Sequence, residues 1–439
     1  MTPVSARPLT ALFAFCIGFT AVGLAACTGG SELAAIETES SDTAVDDTDD
    51  VSDDTREPDA GDTVLPLDTG TPPTGAVTVQ TLLTDETVTL TAGESTAVSV
   101  EVPADTVSLT WTISGVEGTQ YAIAEWTAGN EVLVTPNWLE TSGGICTTCR
   151  NRVAPNEGVG ASMTPNNPAA VSEVDCGGEA CLVHPGMHTV KALGLVVEGF
   201  SSSPATGDVT LQAYAKVVPG GRLPATGVLD LNLHFTGSKG WTAATAPTDP
   251  EFQAMLADVG STYAQVGITL GELSYRDVDS GFAVIESLMG AGSDLNALFA
   301  ASEGNTLNAL NLFFVDELVS PFGGIILGVA GGIPGPPLQQ GTSRSGVAIS
   351  TADFDGAPSS IATTTAHEAG HFLGLFHTSE QTFGGFIPAV HDPLPDTPEE
   401  PDAGFDQNVM FNTGSGSVLS PWQGRVMRSS AWVRHPEEQ

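Results

Sequence analysis

Basic residues are scarce in this chain, which has 13 lysines and arginines against 53 aspartates and glutamates among its 439 residues. The formal net charge is therefore -40. A surface that binds nucleic acid needs clustered positive charge, so this composition argues against nucleic acid as a partner. The acidity itself is typical of a solubilising surface, and it identifies no substrate.

One apolar run stands near the N-terminus, over residues 11–26, after Arg7 and before Cys27. Its length is at the short end for a membrane span, and its shape is typical of an export signal. The sequence Leu-Ala-Ala-Cys at 24–27 resembles the lipobox of bacterial lipoproteins. The alternative is a plain secretory signal.

The lipobox resemblance implies that residues 1–26 form a signal peptide that is cut off before Cys27. In that family the cysteine thiol carries a diacylglyceryl group, so the resemblance makes Cys27 the mature N-terminus and the membrane anchor. Thr28 follows, where many lipoproteins kept at the inner membrane of Gram-negative bacteria have aspartate. The resemblance therefore implies an exported lipoprotein at the outer membrane or cell surface.

Only six cysteines are present, and two of them are Cys16 in the signal and Cys27 at the anchor. The remaining even number in an exported chain predicts two disulfides. Short spacings within these pairs leave a structural zinc site of four thiolates as the alternative. The candidates are Cys146, Cys149, Cys176 and Cys181.

Composition divides the rest of the chain into three regions. Residues 27–75 are mostly Asp, Glu, Thr, Ser and Pro, which predicts a disordered acidic tether because no core can form. Residues 76–218 contain short β-rich segments broken by Gly, Pro and Asn, with period-two alternation near the end. This pattern predicts an antiparallel β-sandwich, and nothing in it indicates chemistry.

A Pro/Gly-rich break at 219–224 leads into a different pattern over residues 222–439. Alternation over 229–235 predicts a half-buried strand, and Asp249 is the expected cap of a helix that ends at Gly267. A buried strand at 310–315 and the short strand Val347–Ser350 follow. Strands interleaved with helices predict an α/β (α+β) domain with a mixed sheet.

Residues 367–377 read His-Glu-Ala-Gly-His-Phe-Leu-Gly-Leu-Phe-His. A helix is predicted over 359–373, so His367 and His371, four positions apart, share one face and can bind one ion. Gly374 can adopt a positive φ that ends the helix and turns the chain, which brings His377 to the same ion.

Three histidine ligands leave the fourth position of a tetrahedral zinc ion open, as in catalytic sites. Glu368 follows the first of them, so it lies beside the metal, where it can accept a proton from water. The cofactor that these residues predict is a single catalytic Zn²⁺.

The segment 367–377 matches the long zinc motif of the metzincin peptidases, His-Glu-x-x-His-x-x-Gly-x-x-His, at every fixed position. Metzincins also have a methionine turn beneath the metal, and Met410 stands at a suitable distance downstream; the alternative is an ordinary core methionine. Looser similarities at 374–378, 396–398 and 419–428 resemble the pappalysin-like members.

The pappalysin-like resemblance also marks one departure and one further site. Members often have a tyrosine two residues after the turn methionine, and here that residue is Asn412. A calcium ion near the active site is the second expectation, with ordinary surface carboxylates as the alternative. The candidate ligands are Asp392, Asp396 and Glu399.

The resemblance implies a zinc metalloendopeptidase that cleaves extracellular or periplasmic proteins, with substrate extended along an edge strand, expected to be Val347–Ser350. One alternative is a surface-anchored binding or adhesion lipoprotein with a non-catalytic zinc fold. Another makes the sandwich a prosegment that covers the cleft until it is cut away.

Overall fold

The computed structural model describes residues 26–29, 76–139, 144–167, 183–198, 201–320, 325–352, 360–380, 390–400 and 403–435. Across these ranges, no helix has the length and apolar character needed to cross a membrane. The α-helices are α1 Pro250–Ala264, α2 Asp294–Ala300, α3 Ile361–Phe372 and α4 Pro421–Ser429. The strands are β1 Ala26–Gly29, β2 Thr78–Leu90, β3 Val98–Val102, β4 Thr106–Ser114, β5 Thr119–Ala128, β6 Glu131–Val134, β7 Asn156–Glu157, β8 Val159–Thr164, β9 Gly186–Glu198, β10 Ser201–Pro204, β11 Gly207–Val217, β12 Gly227–Phe235, β13 Ile268–Asp277, β14 Val284–Ile285, β15 Leu310–Val315, β16 Glu317–Leu318, β17 Ile325–Ala330, β18 Val347–Ser350, β19 Ser379–Glu380, β20 Val390–His391 and β21 Val433–Arg434.

Strands β2 to β11 form two antiparallel sheets that share one apolar core, and this pair of sheets is the sandwich. One sheet has the order β2-β11-β4-β8, and the other has the order β10-β9-β5-β6 with β3 and β7 attached. Trp111 and Leu211 enter the shared core from the first sheet, and Trp126 enters from the second. All of these strands lie within the region where the sequence predicts an antiparallel sandwich.

Strands β12 to β18, together with β1 and β21, form a nine-stranded mixed sheet with the main order β13-β12-β15-β18-β17-β16-β14. Neighbours β13, β12, β15 and β18 run parallel, and β17 is antiparallel to β18. Helix α1 connects the parallel strands β12 and β13, which require such a crossover. The helices and strands of residues 227–435 together make up the mixed-sheet unit.

Both faces of the mixed sheet are covered, and strand β15 shows how. Leu312 and Phe314 point into a core that also contains residues of α1 and α3. Phe313 and Val315 point into a second core that contains residues of α2. The sheet is therefore buried on both sides, as parallel strands usually are.

The prediction that 229–235 forms a half-buried strand was wrong in its burial, because the polar face of β12 is also covered. Asn232 is 1 % exposed and His234 is fully buried. Both side chains hydrogen-bond with Asn311 on the adjacent strand, at 3.1 Å and 3.2 Å. Polar residues can occupy this inner face because they bond with one another.

The predicted edge strand was also wrong, because β18 pairs on both sides, with β15 and with β17. Strand β17, from a Gly/Pro-rich stretch of the sequence, pairs with β18 along one side and, antiparallel, with β1 along the other side, which is its outer edge. Strand β16 pairs with β17 at one position, Leu318 with Ile326. In the pairing with β1, Cys27 lies opposite Gly328. The sequence predicts no strand at 26–29, where the signal and the tether meet.

The sandwich and the mixed-sheet unit share a buried polar interface centred on Glu157 of β7. Its carboxylate accepts hydrogen bonds from Gly290 N at 2.9 Å and from Asn296 Nδ2 at 3.1 Å. Arg344, which is fully buried, donates from Nε to the Glu157 carbonyl at 2.7 Å. Burial lowers the pKa of Arg344 to about 10, and nearby Glu157 opposes that shift. Separating the two units would leave these charges without their partners.

Candidate metal centre

Helix α3 carries the first two candidate ligands, and its ends are fixed by local chemistry. At the start, Thr363 N donates to Ser360 Oγ at 3.2 Å while Ser360 N donates to Thr363 Oγ1 at 2.9 Å, which is a capping box. At the other end Gly374 has a φ of 111°, which L side chains rarely adopt. The helix is therefore slightly shorter than predicted, and the glycine turn lies where the sequence places it.

The turn at Gly374 brings three imidazoles together at one point. The distance from His377 Nε2 to His367 Nε2 is 3.2 Å, and to His371 Nε2 it is 3.1 Å. Two nitrogens bound to one tetrahedral zinc ion lie about 3.3 Å apart, given zinc to nitrogen distances of about 2.0 to 2.1 Å. Both separations are close to this value, and the ligand nitrogens of all three histidines lie within 4.8 Å of one another.

The remaining ring nitrogens of the two helical histidines face backbone carbonyls. His367 Nδ1 lies 2.6 Å from Val409 O, and His371 Nδ1 lies 2.7 Å from Leu375 O. Since a carbonyl only accepts, each Nδ1 carries the hydrogen and each Nε2 presents a lone pair. This is the arrangement that orients histidines as metal ligands.

Burial favours the neutral form of the two helical imidazoles. His367 and His371 are fully buried, and His377 is 4 % exposed. Burial lowers the pKa of His367 to about 3, and the neighbouring His377 adds to the shift. Burial and the other two rings lower the pKa of His371 well below its usual value. Neutral histidine is the form that binds a metal.

The side chain of Glu368 extends from α3 towards strand β17. It is fully buried, and a Cβ on Gly328 would lie 2.5 Å from Glu368 Cγ. Only glycine at 328 allows the strand to approach the helix this closely. The carboxylate that the sequence predicts as a base is therefore next to the strand edge that β1 occupies.

Met410 packs against α3 close to the three histidines. Its Sδ would be 2.7 Å from a Cβ on Gly370, so the methionine packs directly against the helix between the two histidines. The Met410 carbonyl accepts a hydrogen bond from Thr378 N at 2.9 Å, next to His377. The methionine thus contacts the backbone of both ligand segments.

Asn412 is partly buried, with an Oδ1 that has no hydrogen-bond partner among the described residues.

The three calcium candidates do not come together. Among the described residues, the three histidines are the only convergent group of three or more His, Cys, Asp or Glu side chains. Asp392 Oδ1 accepts from Thr397 Oγ1 at 2.6 Å, and Asp396 Oδ2 accepts from Trp422 N at 2.9 Å. Glu399 has a side chain that is 68 % exposed. Burial raises the pKa of Asp392 to about 6.

Of the predicted cysteine sites, one pair is visible. Cys146 and Cys149 form a disulfide, which excludes the alternative of a zinc site with four thiolates. Cys176 and Cys181 lie outside the described residues. For Cys27, the structure describes only the backbone, in β1.

Sequence reasoning missed two parts of the site, the strand β17 and the glycine at 328. Strand β17 reads Ile-Ile-Leu-Gly-Val-Ala, a short apolar run that could have been recognised as a buried strand. Its place between β18 and β1 depends on the sheet order, which no local pattern encodes.

Comparison with known proteins adds little. No protein-family model matches the chain, and no curated protein matches it. Among solved structures it is similar to metalloproteinase-II from Bacteroides fragilis, with 14 % identity, a TM-score of 0.28 and coverage of 47 % of this chain and 54 % of that one. The chain thus spans about half the length of that structure.

Two carbohydrate esterases of family two are also similar, one from Corynascus thermopiles (Myceliophthora fergusii) with a carbohydrate-binding domain and one from Cellvibrio japonicus. The first has 13 % identity, a TM-score of 0.13 and coverage of 55 % and 79 %. The second has 10 % identity, a TM-score of 0.15 and coverage of 55 % and 77 %. At such TM-scores none of these similarities decides the fold or the function, so any functional assignment depends on the geometry of the site itself.

Proposed function

We propose that the protein is a zinc-dependent endopeptidase of the metzincin type, similar to the pappalysin-like members. The observation that supports this most directly is the convergence of three imidazoles, with Nε2 separations of 3.1 and 3.2 Å to His377. The buried Glu368 beside them and Met410 beneath them complete the set that the sequence resemblance implies.

His367, His371 and His377 are the residues that would hold the zinc ion. When bound, zinc polarises the scissile carbonyl and makes water more acidic. Glu368 accepts a proton from the attacking water and delivers it to the leaving amine. Its burial against Gly328 keeps the carboxylate beside the strand where the peptide is placed.

Substrate is placed along the outer edge of β17. The pairing of β1 supports this, because that edge already accepts an extended backbone in antiparallel register. The opposition of Cys27 and Gly328 brings the paired strand to the level of Glu368. A peptide bound in the same way gains affinity from main-chain hydrogen bonds and presents its backbone to the three histidines.

The deciding experiment compares the native chain with Glu368→Gln and with Glu317→Gln, a matched change at an exposed glutamate. Zinc content and cleavage of a denatured protein are measured for each. Glu368→Gln is expected to retain one zinc ion and to lose cleavage by about 10²- to 10⁴-fold, the usual contribution of a general base. Retained cleavage in this variant, or absence of zinc from the native chain, would contradict the proposal. Absence of both zinc and cleavage in the native chain would favour a binding or adhesion protein.

The membrane anchor is a separate part of the proposal and rests on the lipobox resemblance alone. Cys27→Ala is expected to move the exported protein from the detergent phase to the aqueous phase in a detergent partition assay. Equal partitioning of the two forms would leave a plain secretory signal as the better interpretation.

A further inference from the structure

The turn that carries the third histidine is held from outside the mixed-sheet unit. His377 is the only candidate ligand beyond the helix, so its position depends on what packs against residues 373–380. Two sandwich residues, Arg152 and Met163, contact this turn directly. They are 3 % and 1 % exposed.

Arg152 bridges the two segments that flank His377. Its guanidinium carbon lies 5.7 Å from the centre of the Phe376 ring, immediately before the histidine. Its Nη2 donates to the carbonyl of His391. Because His391 pairs with Ser379 across β19 and β20, this hydrogen bond also fixes the chain just after the histidine.

The backbone of Arg152 is itself fixed within the sandwich. Arg152 N donates to Asn166 Oδ1 at 2.9 Å, and Asn166 Nδ2 donates back to Arg152 O at 2.8 Å. Asn166 is 4 % exposed, so this paired contact is shielded from water. The backbone from which the arginine side chain extends to the turn is therefore held in place by Asn166.

Met163 of β8 supports the same turn from a second direction. Its Cε would lie 2.6 Å from a Cβ on Gly374, the residue that reverses the chain. Met163 belongs to the apolar core of the mixed-sheet unit, together with Leu375 and Val426, although its strand is part of the sandwich. A strand of the sandwich therefore contributes a side chain to the core of the mixed-sheet unit at the turn.

We infer that Arg152 is a positioning residue for His377, so that the sandwich is a permanent part of the metal centre and not a removable prosegment. The inference rests on the proposed zinc site. It predicts that weakening the contact between Arg152 and Phe376 lowers metal affinity, although neither side chain touches the metal. Outer residues that orient ligands typically contribute about 10- to 100-fold to metal affinity.

The test uses the full chain with Arg152→Met, which keeps an apolar side chain over Phe376 but removes the guanidinium. Arg150→Met is the control, because Arg150 lies two residues away with a side chain that is 42 % exposed. Zinc affinity is measured by competition with a chromophoric chelator, and the cobalt-substituted proteins are compared by absorption spectroscopy. Thermal unfolding of the metal-free proteins reports general stability.

Arg152→Met is expected to lower zinc affinity by at least about 10-fold and to alter the cobalt spectrum. Arg152→Lys, which keeps a donor for His391, is expected to recover part of the affinity. Zinc affinity within twofold of the native value, or an equal loss in Arg150→Met, overturns the inference.

Phe376→Leu decides the matter if Arg152→Met does not fold, because it removes the ring and leaves the hydrogen bonds of Arg152 in place. Unchanged zinc affinity in that variant overturns the inference. Failure of the native chain to bind zinc overturns both this inference and the proposed function. If the native chain binds zinc and the variants bind it with unchanged affinity, only the role of Arg152 is overturned.

Discussion

The side-chain nitrogen of Lys216 lies 2.8 Å from the carbonyl oxygen of Ser430, and this contact joins the last strand of the sandwich to the end of α4. The same Nζ also donates to the carbonyls of Arg428 at 2.7 Å and Val433 at 2.6 Å. Lys216 is 2 % exposed. Burial lowers its pKa well below the usual value, whereas three accepting carbonyls use all three hydrogens of the ammonium form.

Lys216→Met is therefore expected to reduce the free energy of unfolding by about 3 kcal/mol, since buried carbonyls lose their donor. Urea unfolding measures this change. Lys191→Met is the control, because Lys191 forms a surface ion pair with Glu125 and has a side chain that is 37 % exposed. Its expected effect is below about 1 kcal/mol. Equal effects in both variants would contradict the buried interface.

Gly328→Ala should reduce peptide cleavage without removing zinc. The new Cβ would lie 2.5 Å from Glu368 Cγ and 2.9 Å from Thr364 Cγ2, so the carboxylate must shift. A displacement of this kind can reduce turnover on the order of 100-fold. Steady-state kinetics and zinc content are measured together.

Gly260→Ala is the matched control for that change. A Cβ there would lie 3.7 Å from Leu270 Cδ1, which is ordinary contact, and the residue is inside α1. Alanine is expected to stabilise the helix by about 0.5 to 1 kcal/mol and to leave cleavage unchanged. Full activity in Gly328→Ala would show that the strand does not constrain Glu368.

Gly374→Ala combines backbone strain with a steric clash against Met163. The φ of 111° strains any side chain, and the clash adds to it. A loss of about 1 to 3 kcal/mol is expected from the strain alone, with weaker zinc binding in addition. Gly237→Ala separates the two effects, since Gly237 has a φ of 98° and nothing within 4 Å of its Cβ position. Zinc affinity should fall only in Gly374→Ala.

Zinc should stabilise the native fold in proportion to its binding. At about 100 times the dissociation constant, a ligand that binds only the folded state adds about 2.7 kcal/mol. Removing zinc with a chelator should therefore lower the melting temperature of the native chain. In His377→Ala the melting temperatures with and without chelator should be the same. His184→Ala is the control, because His184 lies outside the cluster. A chelator effect that persists in His377→Ala would place the metal elsewhere.

Local sequence patterns predicted the centre itself. His367, His371 and His377 fall within one helix and the turn that ends it, so helical periodicity and one glycine suffice to place them. The sequence left the cysteine pairing open, and the structure joins Cys146 to Cys149. The sandwich was expected from short β-rich segments with period-two alternation, and the mixed sheet from strands interleaved with helices.

What the sequence could not reveal is non-local. Strand β18 was expected at the edge, but the order of the whole sheet places it between β15 and β17. The inner face of β12 looked solvent-exposed because Asn232 and His234 are polar, and their burial depends on partners in a strand far along the chain. Arg152 and His391, separated by 239 residues, share no pattern that links them.

The hydrogen bond from Lys216 to Val433 spans 217 residues, and that from Ser108 to Ser429 spans 321. Contacts between residues so far apart in sequence are slow to form, because closing the long intervening loop costs conformational entropy. During synthesis the buried lysine of the sandwich cannot meet its acceptors until residues 428–433 have been made. Truncation near residue 430 would therefore disturb a domain that ends more than 200 residues earlier, at β11.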